Sequence, residues 1–216
     1  MMVRAAVVFY LARTSGEQES KVRAALGVSV WRQAGGSDAL FEEYVDPSAY
    51  WRAQGLPVRV WGLLADGVLY ITVLPEGQAM NRWLYTWVIE KRFPAWLDEA
   101  FGRYRSQVFQ VQDHERALWT PEPLAAMPGV GVSLLENYPP CSQDLNPIET
   151  AWRELRSRLR DTQPVNMEPR AEFVARLRSA AIWVNRNRAE YLMHICNDQE
   201  ERAHAVRATN GSRTRY

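Results

Sequence analysis

The sequence predicts an α/β domain with a mixed β-sheet. Two β-rich segments, VRVWGLL (58–64) and VLYITVL (68–74), flank Asp66-Gly67, a dipeptide typical of tight hairpins. Further strand-like segments alternate with helical ones, and the longest helical patterns are gathered after residue 146. Strands joined by long helices in this order are typical of an α/β domain with a mixed sheet.

One long helix is predicted after the hairpin, because apolar residues recur at helical spacing from Met80 to about Leu97, with a kink at Pro94. The segment SQVFQVQD (106–113) then predicts a short strand that ends at Asp113. The other predicted elements are a short helix at 121–126, a strand at 130–136, and helices at about 147–160, 169–185 and 188–207.

Composition excludes several classes of protein. Of the 216 residues, 47% are hydrophobic and 24% are charged, which argues against a disordered chain, a collagen-like repeat or a disulfide scaffold. The longest apolar stretches are too short to span a bilayer, and the apolar run near the N-terminus predicts a strand rather than a signal peptide. Cys141 and Cys196 fit no metal or disulfide pattern, so we expect an intracellular protein with free thiols, with no membrane association and no secretion.

The charge is unevenly distributed although the net charge is only +1. Residues 153–216 contain 13 Arg against 8 Asp and Glu, whereas residues 1–152 are net acidic. Arginine makes up 24 of the 26 basic residues. This enrichment fits either a GC-rich genome or a surface that faces phosphate, which arginine binds bidentately.

The most informative segment is YPPCSQDLNPIETAWRELRSRL (138–159), a proline-rich loop that enters a helix. Asn146 is expected to cap this helix, with Pro147 at its first position. Glu149 in the first turn has two interpretations. It forms a capping-box-like pair with Asn146 and an ion pair with Arg153, or it is a rigidly held metal ligand. Local physical chemistry leaves both open.

The same segment resembles the signature of the mariner-type superfamily of transposases, P-x-S-P-D-L-N-P-I-E-x-x-W, with Gln143 in place of one proline. In that family the glutamate is the third member of a catalytic Asp-Asp-Glu triad, so the resemblance implies that role for Glu149. The matching residues are Pro140, Ser142, Asp144, Leu145, Asn146, Pro147, Ile148, Glu149 and Trp152.

The resemblance extends to the second aspartate of the triad. The family places it at a strand end about 35 residues before the glutamate, and 35 residues separate Asp113 from Glu149. His114 stands where the family usually has asparagine. The alternative for Asp113 is a strand-end carboxylate that caps the following turn. A further stretch, 58–96, resembles the family's V-W-G and G-x-M-N order.

The first aspartate of the triad is best matched by Asp38. It lies in GSDALFEEYVDPSAYW (36–51), which resembles the family's S-D-E-x-x-F followed by an aromatic-Trp pair, with one residue fewer before Phe41. Asp46 is a second candidate, although Asp46-Pro47 is typical of a turn. A missing first carboxylate is the third interpretation.

The resemblance implies an RNase H-like fold, a mixed central sheet flanked by helices with further helices at the C-terminus. It divides the chain into a poorly defined segment (1–36), a catalytic domain (37–162) and a helical extension that packs on it (163–216). The implied cofactors are two Mg²⁺ or Mn²⁺ ions held by Asp38, Asp113 and Glu149. The implied function is DNA cleavage by water followed by strand transfer by the freed 3′-hydroxyl, as in DNA transposition and integration.

DNA is the expected partner, and a homodimer is one candidate assembly. Arg153, Arg156 and Arg160 share the helix face opposite the apolar stripe and either grip the DNA backbone or form a solvated surface. The 37 residues before Asp38 lack the paired-helix pattern of the family's end-reading region. The alternative function is therefore a catalytically degraded, transposon-derived DNA-binding or interaction protein. We expect nuclear localisation in a eukaryote and cytoplasmic localisation in a bacterium.

Overall fold

A mixed five-stranded β-sheet lies at the centre of the fold, in the order β3-β2-β1-β4-β5. The computed structural model describes residues 3–9, 58–103, 108–135, 138, 145–164, 168–209 and 214. The strands are β1 (Val3–Phe9), β2 (Val60–Ala65), β3 (Val68–Val73), β4 (Val108–Gln112) and β5 (Val132–Leu134). The strand predicted near the N-terminus is confirmed, and it occupies the central position.

Strand β1 joins two smaller sheets. Its first half pairs with β2 in parallel, from Val3 opposite Val60, and its second half pairs with β4 in antiparallel orientation, ending with Phe9 opposite Phe109. Strands β2 and β3 are antiparallel, and β4 and β5 are parallel. The sheet is therefore mixed, as the sequence predicted.

The hairpin between β2 and β3 is confirmed at the predicted dipeptide. Asp66 and Gly67 have φ angles of 46° and 78°, and they connect the paired residues Ala65 and Val68. A two-residue turn with both φ angles positive matches the right-handed twist of the strands that it joins. Gly67 also abuts the backbone of Met193, which leaves little room for a side chain.

Seven α-helices surround the sheet in the described part of the chain. They are α1 (Arg82–Lys91), α2 (Phe93–Phe101), α3 (Pro121–Gly129), α4 (Pro147–Asp161), α5 (Arg170–Asn187), α6 (Ala189–Asn197) and α7 (Gln199–Ala208). A short 3₁₀ helix, Arg116–Trp119, precedes α3. The mixed α/β class is thus confirmed, and no described helix has both the length and the apolar character needed to cross a membrane.

Two predicted helices are each divided in the structure. The helix expected through Leu97 is broken at Arg92, which ends α1 and precedes α2. Pro94 lies in the first turn of α2, where its missing N–H costs no hydrogen bond. The helix expected at 188–207 is broken at Asp198, between α6 and α7.

The helices cover both faces of the sheet. Alternate residues of β2 point to opposite sides, so Val60 and Leu64 belong to one core cluster while Trp61 and Leu63 belong to the other. Helices α4 to α7 contribute to the first cluster, and α1 to α3 contribute to the second. All six residues of β2 are buried, as expected for a strand between two helical layers.

Two motifs of the sequence resemblance are in direct contact. Trp152 follows Ile148 by four residues and precedes Leu155 by three, a spacing that predicts a core position, and the structure confirms it because Trp152 of α4 is fully buried. Its six-membered ring lies over Gly62 of β2 so closely that a Cβ at Gly62 would overlap it. The glycine of V-W-G is therefore required by the tryptophan that follows Glu149.

Most described tryptophans contact the core, but two on α1 do not. Trp83 and Trp87 are 63% and 42% exposed, and the guanidinium groups of Arg82 and Arg92 stack on their rings. The two rings lie four residues apart and therefore share one helix face. Tryptophans that fall on apolar helix and strand faces are expected to be core residues, and these two differ from that expectation.

Candidate active site at the end of strand β4

Asp113 directly follows β4, and a buried polar network holds that end of the strand in place. The Tyr85 hydroxyl donates to Gln112 Oε1 at 2.9 Å, and Gln110 Nε2 donates to both Tyr85 Oη and Gln112 Oε1. Gln112 Nε2 donates to the carbonyl oxygen of Leu118 beyond the strand. All three network residues are buried, so their hydrogen bonds hold in place the end of β4 that precedes Asp113.

The turn after Asp113 is held by two aromatic contacts. Trp119 Nε1 donates to the Asp113 carbonyl oxygen at 2.8 Å, and the His114 ring stacks on Trp119 with centroids 5.1 Å apart. His114 Nε2 lies 2.7 Å from the carbonyl oxygen of Tyr138. His114, which replaces the asparagine usual in the resembling family, therefore tethers this turn to the segment before α4.

Asn146 connects Asp113 to the beginning of α4. Its side-chain Oδ1 accepts a hydrogen bond from Ile148 N, which confirms the predicted N-cap. Its Nδ2 donates to Asp113 Oδ1 at 2.9 Å. Asn146 is only 1% exposed, so one buried amide fixes both the helix N-terminus and the aspartate.

Glu149 lies close enough to Asp113 for the two carboxylates to repel each other. Burial raises the pKa of the Glu149 carboxyl, the negative charge of Asp113 raises it further, and the Arg156 guanidinium lowers it. The structure thus brings together two of the three residues that the resemblance implies. Asp38, and with it Asp46, lies outside the described residues.

The interpretation of Glu149 as a capping residue that pairs with Asn146 and Arg153 finds no support among the contacts of the described residues. Glu149 forms no ion pair with Arg153 there, and its side chain makes no capping-box hydrogen bond to Asn146. Arg153 instead donates from Nη2 to the Tyr191 hydroxyl at 3.4 Å. The Glu149 carboxylate therefore has no ion-pair partner among the described residues, and the charges that act on it are those of Asp113 and Arg156.

Arg153, Arg156 and Arg160 are all exposed on α4. Of these three arginines, Arg156 is the one whose positive charge lowers the pKa of Glu149. The positive α4 face thus begins beside the acidic pair.

Sequence reasoning missed a buried ion pair behind Glu149. Arg202 of α7 donates from Nε to Asp198 Oδ1 at 2.6 Å and from Nη2 to the Thr150 hydroxyl at 3.4 Å. Arg202 is 1% exposed. The only sequence signal was the Asp-to-Arg spacing of four residues, which is common on solvated helix surfaces.

Chemically, a pair of close carboxylates at a strand end and a helix N-terminus is suited to holding a hard divalent cation. Within the described ranges, no group of three or more His, Cys, Asp or Glu side chains is arranged to bind a metal. Comparisons with protein-family models, with curated proteins and with solved structures found no match. The candidate site therefore rests on the sequence resemblance and on the geometry of its own residues.

We expect Glu149→Gln to stabilise the cation-free protein at neutral pH. Because the folded-state pKa of Glu149 is raised, its ionised form opposes folding, and stability is lost as pH rises from the ordinary value of 4.5 through the folded-state pKa. Thermal unfolding in a chelator should show a higher Tm for the variant at pH 7 and no difference at a pH well below 4.5.

Glu172→Gln is the control for this prediction. The substitution removes the same charge, but Glu172 is exposed in the first turn of α5. Two results would contradict the repulsion between Asp113 and Glu149. One is a Glu149→Gln variant that is less stable than the wild type at pH 7. The other is a difference in Tm between the two proteins that is the same at every pH.

Proposed function

We propose that this chain is the catalytic domain of a mariner-type transposase that cleaves DNA and transfers the freed strand in a metal-dependent reaction. The observation that carries the proposal is the juxtaposition of Asp113, at the end of β4, with Glu149, in the first turn of α4. These are the positions to which the sequence resemblance assigns the second and third catalytic carboxylates. Repulsion between two carboxylates is expected at a site that binds cations, because a bound cation offsets it.

The donor set fits Mg²⁺ or Mn²⁺. Both described side chains offer hard carboxylate oxygens, and Glu149 forms no ion pair with any described residue. Asp113 and Glu149 would hold the ions together with Asp38. When bound, two such ions activate a water or a 3′-hydroxyl and stabilise the oxygen that leaves phosphorus.

The chain's own residues position the carboxylates and the DNA. Asn146 orients one carboxylate oxygen of Asp113 through its amide, and the capped α4 N-terminus fixes the backbone of Glu149. In this proposal Arg153, Arg156 and Arg160 contact backbone phosphates next to the site. Such contacts orient a duplex without reading its sequence.

Nicking of supercoiled plasmid tests the proposal. We expect Mn²⁺-dependent or Mg²⁺-dependent nicking by the wild type, and a loss of at least about a hundredfold for Asp113→Asn and for Glu149→Gln, because each removes a ligand charge. Asp161→Asn, which changes an exposed carboxylate at the other end of α4, should retain wild-type activity.

A folded wild-type chain that binds DNA but does not nick it with either ion would contradict the catalytic proposal. That outcome would favour the alternative function, a transposon-derived DNA-binding protein without catalysis. Nicking that persists unchanged in both variants would place the chemistry elsewhere in the chain.

A further inference from the structure

A positively charged groove lies between the C-terminal half of α4 and the C-terminal two thirds of α5. It encloses about 360 Å³. Three arginines line it, Arg158 from α4 and Arg176 and Arg186 from α5, together with Trp183 and the 52% exposed Ile182. No acidic side chain is among its described lining residues.

Two of the three arginines are available to a ligand. Arg176 is tied down, since it pairs with Glu168 and donates from Nη1 to the carbonyl oxygen of Leu159 at 2.8 Å. Arg158 and Arg186 form no ion pair with any described residue. The groove therefore presents two guanidinium groups with no carboxylate counter-charge in the part of the chain that the structure describes.

The aromatic residue of the groove orients one of these groups. The Arg158 guanidinium carbon lies 4.5 Å from the ring centroid of Trp183. A stacked guanidinium keeps its N–H groups directed along its plane, where they can reach the two oxygens of a phosphate. The exposed side chain of Ile182 supplies an apolar neighbour suited to the sugar edge of a nucleotide.

We propose that this groove binds the phosphodiester backbone of DNA, through Arg158 and Arg186, at a position separate from the face that carries Arg153, Arg156 and Arg160. This inference rests on the proposed function, because it takes DNA as the polyanion. Arg158 lies nine residues after Glu149 on α4, about 14 Å further along the helix axis and on its opposite side. The groove therefore lies on the side of α4 away from Glu149, and DNA held there contacts the protein at a surface separate from the carboxylate pair.

The test is a salt titration of binding to a short fluorescein-labelled duplex, in a chelator so that catalysis plays no part. We expect Arg158→Ala/Arg186→Ala to lower affinity about tenfold or more at low salt and to reduce the slope of log K against log salt by up to about 2. Arg103→Ala/Arg207→Ala is the matched control, because both arginines are exposed outside the groove and the same charge is lost. The control should keep the wild-type slope.

A second variant separates charge from geometry. Arg158→Lys/Arg186→Lys keeps both charges and most of the packing over Trp183, so it should keep the wild-type slope while binding more weakly than the wild type. A groove variant that binds like the control, or a lysine variant that binds as tightly as the wild type, would overturn the proposal.

The result is separable from the fate of the catalytic proposal. Loss of binding in the groove variant with no nicking by the wild type would retain the groove and remove the transposase chemistry. Wild-type nicking with unchanged binding in the groove variant would do the opposite. If the triple variant of Arg153, Arg156 and Arg160 lost binding while the groove variant bound like the wild type, the backbone contact would belong to that face and the groove proposal would be overturned.

Discussion

Replacing Arg202 with methionine is expected to destabilise the protein by about 3–5 kcal/mol, because it leaves the carboxylate of Asp198 buried without its counter-charge. Arg202 and Asp198 are 1% and 5% exposed, and the Arg202 side chain also reaches the Thr150 hydroxyl. For a chain of this size, the expected loss corresponds to a decrease in Tm of roughly 6–20 °C. Equilibrium unfolding in denaturant measures it.

The same helix provides a control for this prediction. His204 and Glu200 form an exposed pair with the same spacing of four residues, so His204→Ala should change stability by less than about 0.5 kcal/mol. Adding Asp198→Asn to Arg202→Met should recover part of the loss, since no buried charge remains. An Arg202→Met variant as stable as the wild type would contradict the buried ion pair.

Trp152→Ala is expected to cost about 3–5 kcal/mol, because it empties a fully buried site between α4 and the sheet. Gly62→Ala is expected to cost about 1–3 kcal/mol for the opposite reason, since the new methyl group overlaps the Trp152 ring. In the Trp152→Ala background the same methyl group enters the vacated space. Gly62→Ala should therefore be neutral or stabilising there.

A double-mutant cycle over these four proteins measures the coupling of the two positions. Gly67→Ala is the comparison, because its cost arises from the positive φ angle of 78° and the nearby Met193 backbone and should be independent of Trp152. Additive effects of Gly62→Ala and Trp152→Ala would show that the glycine of V-W-G is required for another reason.

Local signals explain which elements the sequence predicted well. The β2–β3 hairpin depends on two adjacent residues, Asp66 and Gly67, whose turn preference is independent of the rest of the fold. Helix α4 likewise carries its cap, its N-terminal proline and its apolar stripe within one segment.

The breaks in the other helices depend on tertiary contacts. Pro94 indicated an interruption, but the break occurs at Arg92 because proline is tolerated in the first turn of a new helix. The break at Asp198 has no glycine or proline to mark it. There the chain turns so that Asp198 and Arg202 are buried together against Thr150, a contact across 52 residues from Thr150 to Arg202.

The candidate site also depends on tertiary contacts that local sequence patterns do not reveal. Spacing within the segment 138–159 left Glu149 as either a capping residue or a metal ligand. The contacts that bear on this choice are long-range, since Asn146 reaches Asp113 across 33 residues and the charge of Asp113 raises the pKa of Glu149. Only the resemblance paired these residues in advance. Trp83 and Trp87 were missed for a related reason, because residue type alone predicts burial and the face of α1 that carries them has no described covering element.

The central claim is that Asp113 and Glu149 together hold a divalent cation, and the most direct test is thermal unfolding with and without Mn²⁺. At about a hundred times its dissociation constant, a ligand that binds only the folded state stabilises it by about 2.7 kcal/mol, which is a rise in Tm of roughly 5–10 °C for this chain. We predict that rise for the wild type and for the control Asp161→Asn/Glu172→Gln, and its loss in Asp113→Asn/Glu149→Gln. An equal Mn²⁺ response in the wild type and in Asp113→Asn/Glu149→Gln, or no response in the wild type, would contradict the claim.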